Sequence, residues 1–198
     1  MLIMAEVIED KFREWTKGKN AVEAKVNIYE RIRDIPYAAI PEIADSKRYV
    51  EILNLGKGSC TPKHLLLGDM YQRLGMQVLY VVYPFRWDNI EDLKIDYPSQ
   101  LRKLAEELPT SYHLACKVDI DGEFVLVDAT LDPALERLGL PVNKEWDGIS
   151  NTVLPINPCG EEQLYHPSEA GFIQSQTDGE SRAFYDELNL WLDKARKH

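Results

Sequence analysis

The stretch SYHLACKVDIDGEFVLVDAT, residues 111–130, holds two runs rich in β-branched and apolar residues on either side of Asp121-Gly122. Asp-Gly between such runs is a strong hairpin signal, because a type I′ turn needs positive φ at both central positions. A two-residue loop sets Ile120 opposite Glu123, and the ladder then carries Ala115 opposite Asp128 and His113 opposite Thr130. Side chains alternate along a strand, so His113 and Asp128 leave the same face as diagonal neighbours, with Cα atoms about 7–8 Å apart. The carboxylate can hold the imidazole. A bulge or a three-residue loop would reverse that parity. Taken singly, His113 reads as a satisfied core histidine and Asp128 as a strand-end Asx turn. Taken together they read differently, since an acid between Val127 and Ala129 is costly to bury without a partner.

Upstream, Met76 to Phe85 reads as a strand buried on both faces. It follows the strongest helix start in the chain. Ser59 or Thr61 can cap, Pro62 suits the first turn, Leu65, Leu66, Met70 and Leu74 supply the apolar side, and Gly75 can end it. Cys60 therefore sits where a loop meets a helix N-terminus, and the unpaired N–H groups there favour a thiolate. A lone cysteine is more often a small buried hydrophobe. Gly56 and Gly58 permit a tight turn and close approach by another backbone. The backbone N–H of Cys60, with the Asn54 amide six residues earlier, is nominated to hold an oxyanion.

The other candidates rank lower. Cys116 falls on the face opposite His113 and reads as structural, and Cys159 as a loop residue. His64 shares a helix face with Cys60 and is read as a solvated side chain rather than a second modulator of the thiol. Cys60, His64 and His113 lack the spacing of a zinc site, so neither metal nor cofactor is expected. Residues 86–110 look like an insertion with a helix near Ser99 to Leu108. Trp87 and Tyr97 read as packing residues, on a segment placed to overhang the histidine strand.

Farther out, apolar residues recur at helical spacing over 4–15 and 21–34, and Pro36 and Pro41 interrupt them. Beyond Pro133 the chain is loop-rich, with turns and at most one short strand between Leu138 and Gly160, until a final helix over about Ser181 to Lys194. The expected fold is α+β: N-terminal helices, then a central helix packed on a mainly antiparallel sheet, as one domain over 1–198. The chain has 198 residues, 44% hydrophobic and 28% charged, with a net charge of −10, so it offers no basic surface for nucleic acid. The N-terminus MLIMAEVIEDK lacks the basic region and apolar run of a signal peptide, and VLYVVYPF at 78–85 is too short to span a membrane. Three cysteines without a C-x-x-C pair fit a reducing compartment, so a cytoplasmic protein with no membrane partner is expected.

The order of these pieces, GKGSCTPKHLLLGDMYQRLGMQVLYVV over 56–82 and SYHLACKVDIDGEFVLVDATLDP over 111–133, resembles the transglutaminase-like superfamily, whose core is a circularly permuted relative of papain. The resemblance covers about residues 20–133, leaving 134–198 as a C-terminal extension. It implies Cys60 as nucleophile, His113 as general base and acid, and Asp128 as the orienting carboxylate. Thr61-Pro62 stands where animal transglutaminases carry tryptophan after the cysteine, so calcium-dependent cross-linking is not implied. The expected activity is thiol-dependent hydrolysis of a peptide or isopeptide bond through a thioester, acting on a peptide or protein amide. Acyl transfer in the manner of arylamine N-acetyltransferases, or a non-catalytic binding module on the same scaffold, are the alternatives.

Overall fold

The chain was analysed as a computed structural model, which describes residues 2–89, 95, 97–167 and 179–197. Part of the polar loop expected after Trp87 and the end of the loop-rich extension, 168–178, lie outside the described residues. Two helices open the fold, α1 (Leu2–Thr16) and α2 (Ala21–Arg33). Asn20 starts α2 with a reciprocal cap: its side chain accepts from Glu23 N–H and Glu23 accepts from Asn20 N–H, both at 3.0 Å. The helix buries Ile28, Tyr29 and Ile32 completely.

A 3₁₀ turn over Tyr49–Glu51 runs into the short helix α3 (Ile52–Leu55), which ends at Gly56 in the left-handed region, φ 64°. Gly58 is needed for a different reason. A Cβ there would lie 2.5 Å from Ile52 Cγ2, so only glycine lets the loop pass over α3 into the next helix. That helix, α4 (Cys60–Arg73), lays Leu66, Leu67 and Met70 into the main core against Cys116, Val118 and Val127 of the sheet. Ser59 is its N-cap by position, in extended conformation and without a side-chain cap.

The sheet has four strands, all antiparallel, in the order β3-β2-β1-β4, where β1 is Val78–Phe85, β2 Ser111–Ile120, β3 Glu123–Val127 and β4 Gln163–Tyr165. Asp121 (φ 55°) and Gly122 (φ 90°) form the two-residue turn, and Ile120 pairs with Glu123. The β2–β3 ladder ends at Cys116 opposite Val127, one residue short of Asp128. Two expectations need correcting. Only the second half of β1 is buried on both faces, since Leu79 is 37% exposed on the face away from α4 while its neighbours Val78 and Tyr80 pack on the main core. The short strand of the extension is β4, beyond the 138–160 region, because it completes its hydrogen bonds on the free edge of β1.

A second core forms beside the sheet, where α5 (Ser99–Glu106) and α6 (Gly179–Arg196) pack Leu101, Ala105, Phe184, Leu188 and Leu192 with Leu135 of the 3₁₀ turn Pro133–Leu138. Among the described residues no helix is long and apolar enough to cross a membrane.

Candidate active site

Cys60, His113 and Thr130 line an open cleft of about 310 Å³ whose wall includes Tyr37, Tyr97, Leu188 and Leu192 of the second core. Cys60 is the first residue of α4, half-buried, and near enough to the His113 imidazole for the ring's charge to pull its thiol down. His113, near the start of β2, is 2% exposed, and its Nε2 lies 2.6 Å from Asp128 Oδ2. With Nε2 engaged by the carboxylate, Nδ1 is the nitrogen left for sulfur. The sequence of contacts is thus thiol, ring, acid.

Asp128 is fixed from every side although it lies past the end of β3. Its N–H donates to Thr152 Oγ1 at 2.7 Å, its Oδ1 accepts from Thr130 N–H at 2.9 Å, and its carbonyl accepts from the buried Tyr29 hydroxyl at 3.1 Å. Burial pushes this acid up, but the His113 charge, then that of His64, and the hydrogen bonds bring it down to about 2. Burial pulls His113 down, and the charges of Asp128 and then Cys60, with their hydrogen bonds, hold it up at about 10. For Cys60 burial is again the largest single influence and raises the thiol. The His113 charge, their hydrogen bond and the Leu114 N–H more than reverse it, leaving Cys60 below its ordinary value. Each of these shifts favours the charged form of its group, thiolate, imidazolium or carboxylate.

His64 is fully buried, which corrects its reading as a solvated side chain. One helical turn after Cys60, the ring points inward because α4 lies on the sheet there. Its Nδ1 is 2.9 Å from the Cys60 carbonyl oxygen, and its Nε2 accepts from Ala129 N–H at 3.0 Å. Accepting at Nε2 and donating at Nδ1 requires the neutral tautomer, and burial accordingly pulls its pKa down to about 4. The 3.9 Å approach of His64 Nε2 to Asp128 Oδ2 is therefore not an ion pair at neutral pH. The ring ties the helix that begins at Cys60 to the strand end that carries Asp128.

Lys63, the neighbouring residue, is also fully buried, and its Nζ donates to the carbonyls of Arg33, Ile35 and Thr130 at 3.0, 2.8 and 2.6 Å. Burial draws the ammonium down to about 7, while three carbonyl acceptors call for all three of its protons. The segment it grips continues to Tyr37, whose flanks pair with Gly58 through Ala38 N–H to Gly58 O and Gly58 N–H to Pro36 O.

Asn54 does not reach the cleft. It is exposed on α3, two residues after the fully buried Ile52, and that offset on a helix turns its side chain to the opposite face. Tyr37 lines the cleft instead, and burial followed by the Cys60 charge keeps its phenol protonated. No periodicity marks Tyr37, which sits between Pro36 and Pro41 in an irregular segment. Trp87 and Tyr97, read as packing residues, both line the cleft. Cys116 donates to the His64 carbonyl inside the core, and Cys159 is exposed in a loop. Among the described residues no three His, Cys, Asp or Glu side chains gather as a metal site.

No family model and no curated protein matches this chain. Among solved structures, one from Cytophaga hutchinsonii described as a "Putative Cysteine Protease" is similar at a TM-score of 0.43 and 15% identity, covering 82% of this chain and 49% of that one. The chain thus spans about half the length of that structure. At this similarity the chemistry has to be read from the site itself.

Proposed function

We propose that the chain is a cysteine-dependent amide hydrolase of transglutaminase-like, papain-related architecture, with Cys60 as nucleophile, His113 as acid and base and Asp128 as the orienting carboxylate. One observation carries this reading: a half-buried thiol at a helix N-terminus, beside an imidazole whose Nε2 is held by a buried carboxylate, at the wall of an open cleft.

The Cys60 thiolate attacks the amide carbonyl carbon, a C–S bond forms, and the carbonyl electron pair moves onto oxygen. The backbone N–H of Cys60 and the Tyr37 hydroxyl are the donors proposed to hold that oxyanion. Collapse breaks the C–N bond as His113 gives its proton to the departing amine, leaving a thioester. Water then attacks the thioester while His113 takes its proton, and the C–S bond breaks to release the acid and the thiolate. Hydrolysis is preferred to transfer because water needs no acceptor pocket of its own.

The test is alkylation by iodoacetamide near pH 6, read residue by residue by mass spectrometry. Cys60 should label at least about tenfold faster than the exposed Cys159, and His113→Gln should erase the difference. Equal, slow labelling of all three cysteines would overturn the reading in favour of a binding module.

A further inference from the structure

The cleft beside Cys60 has an aromatic and aliphatic wall facing the thiol, imidazole and hydroxyl side chains. Phe85, Trp87, Tyr97, Leu188, Trp191 and Leu192 face it, and the described lining residues include no Asp, Glu, Lys or Arg. Their rings brace one another, with Phe85 and Trp87 centroids 5.0 Å apart and Tyr97 and Trp191 5.3 Å apart. Part of this wall comes from α6, the helix remote in sequence from the thiol.

That helix is held in place rather than merely leaned on the core. Asn189 both accepts from Ala39 N–H at 2.8 Å and donates to Ala39 O at 2.9 Å, as a strand neighbour would. Arg196 donates to Asp132 Oδ2 and to Tyr37 O, each at 2.7 Å, and Asp132 Oδ2 also accepts from Tyr37 N–H at 2.9 Å. The Arg196 and Asp132 charges thus pair with each other. The same contacts join α6 to the segment that brings Tyr37 beside Cys60, so the cleft is formed before any substrate arrives.

A charged group entering the cleft would shed its hydration and meet no Asp, Glu, Lys or Arg among the described lining residues. A cavity of about 310 Å³ lies at the small end of ligand sites and suits one bulky side chain with its adjoining amide.

We propose that the bond cut at Cys60 is the amide of an uncharged aromatic or branched aliphatic acyl group, seated against α6. This rests on the reading of Cys60 as a nucleophile. The acyl portion is the half so retained, because it stays bonded to sulfur until water arrives, and a pocket opening beside the thiol holds it through both steps.

The experiment compares N-acetyl vinyl sulfones built on phenylalanine, leucine, aspartate and lysine, with the rate of Cys60 modification followed by mass spectrometry and iodoacetamide as the size-independent control. The phenylalanine and leucine probes should react at least about tenfold faster than the charged two, and Trp191→Ala should narrow that ratio. Equal rates for all four, or a faster aspartate or lysine probe, while iodoacetamide still labels Cys60 rapidly, would overturn the acyl assignment alone. Slow labelling by iodoacetamide as well would remove the nucleophile and both readings with it. The series on the unaltered protein decides the matter even if Trp191→Ala does not fold.

Discussion

His64 Nδ1 lies 2.9 Å from the carbonyl oxygen of Cys60, and the same ring accepts the N–H of Ala129 at 3.0 Å. A buried neutral histidine thus joins the first turn of α4 to the residue following Asp128. Its folded pKa, lowered by burial to about 4, lies below the ordinary value of 6.5. The unfolded chain therefore binds a proton that the folded chain refuses. The contribution is fully present above 6.5 and is lost as pH falls toward 4, an effect on the order of 3 kcal/mol. Denaturant melts of the wild type should show this acid-side loss, and His64→Ala should be less stable at pH 7 with a flatter profile between those limits. A parallel profile in the variant would remove His64 from this role.

Asp128→Asn keeps the shape of the side chain but withdraws the charge that holds His113 up. The expected result is a fall in turnover of about 100-fold or more with binding little altered, together with a shift of the Cys60 alkylation profile to higher pH. Retention of both would show that the 2.6 Å contact is only structural.

Tyr37→Phe should lower the hydrolysis of an activated aromatic ester by about 100-fold, the usual loss when one oxyanion donor is removed. Iodoacetamide alkylation develops no oxyanion and serves as the control. A variant that hydrolyses the ester at the wild-type rate would leave the oxyanion to backbone groups alone.

Lys63→Met removes the single donor shared by three carbonyls that come from α2, the loop after it and the strand end beside Asp128. Each carbonyl then loses its partner inside the protein, so a loss of several kcal/mol is expected. Thermal melting should show it directly. An unchanged midpoint would mean that water or a local shift replaces the ammonium.

Much of the fold was legible because its signals are local. Asp121-Gly122 determines the turn by backbone sterics alone and fixes the register from Ile120 opposite Glu123 to Cys116 opposite Val127, but the expected pairs of Ala115 with Asp128 and His113 with Thr130 do not form, because the ladder ends before Asp128. Cys60 was legible for a similar reason, since Pro62 and the apolar spacing after it announce a helix start whose end charges are a property of any helix.

The remainder depended on segments far apart in the chain. Nothing near Asn54 indicates that Ile52 occupies the inward face of α3, and nothing near Tyr37 indicates that Asp132 and Arg196 grip its backbone from 95 and 159 residues away. The burial of His64 and Lys63 was likewise hidden, because both residues are polar and their partners are backbone atoms that carry no sequence signal. The amino-acid order by itself determined the helix mouth and the hairpin, since each follows from backbone geometry within a few residues, whereas the meeting of His113 and Asp128 also needed Thr152 and Tyr29 to hold the acid past the end of its strand. Only the tertiary structure decided that α6 walls the cleft and that no Asp, Glu, Lys or Arg stands among its described lining residues, because those follow from which distant surfaces exclude water together.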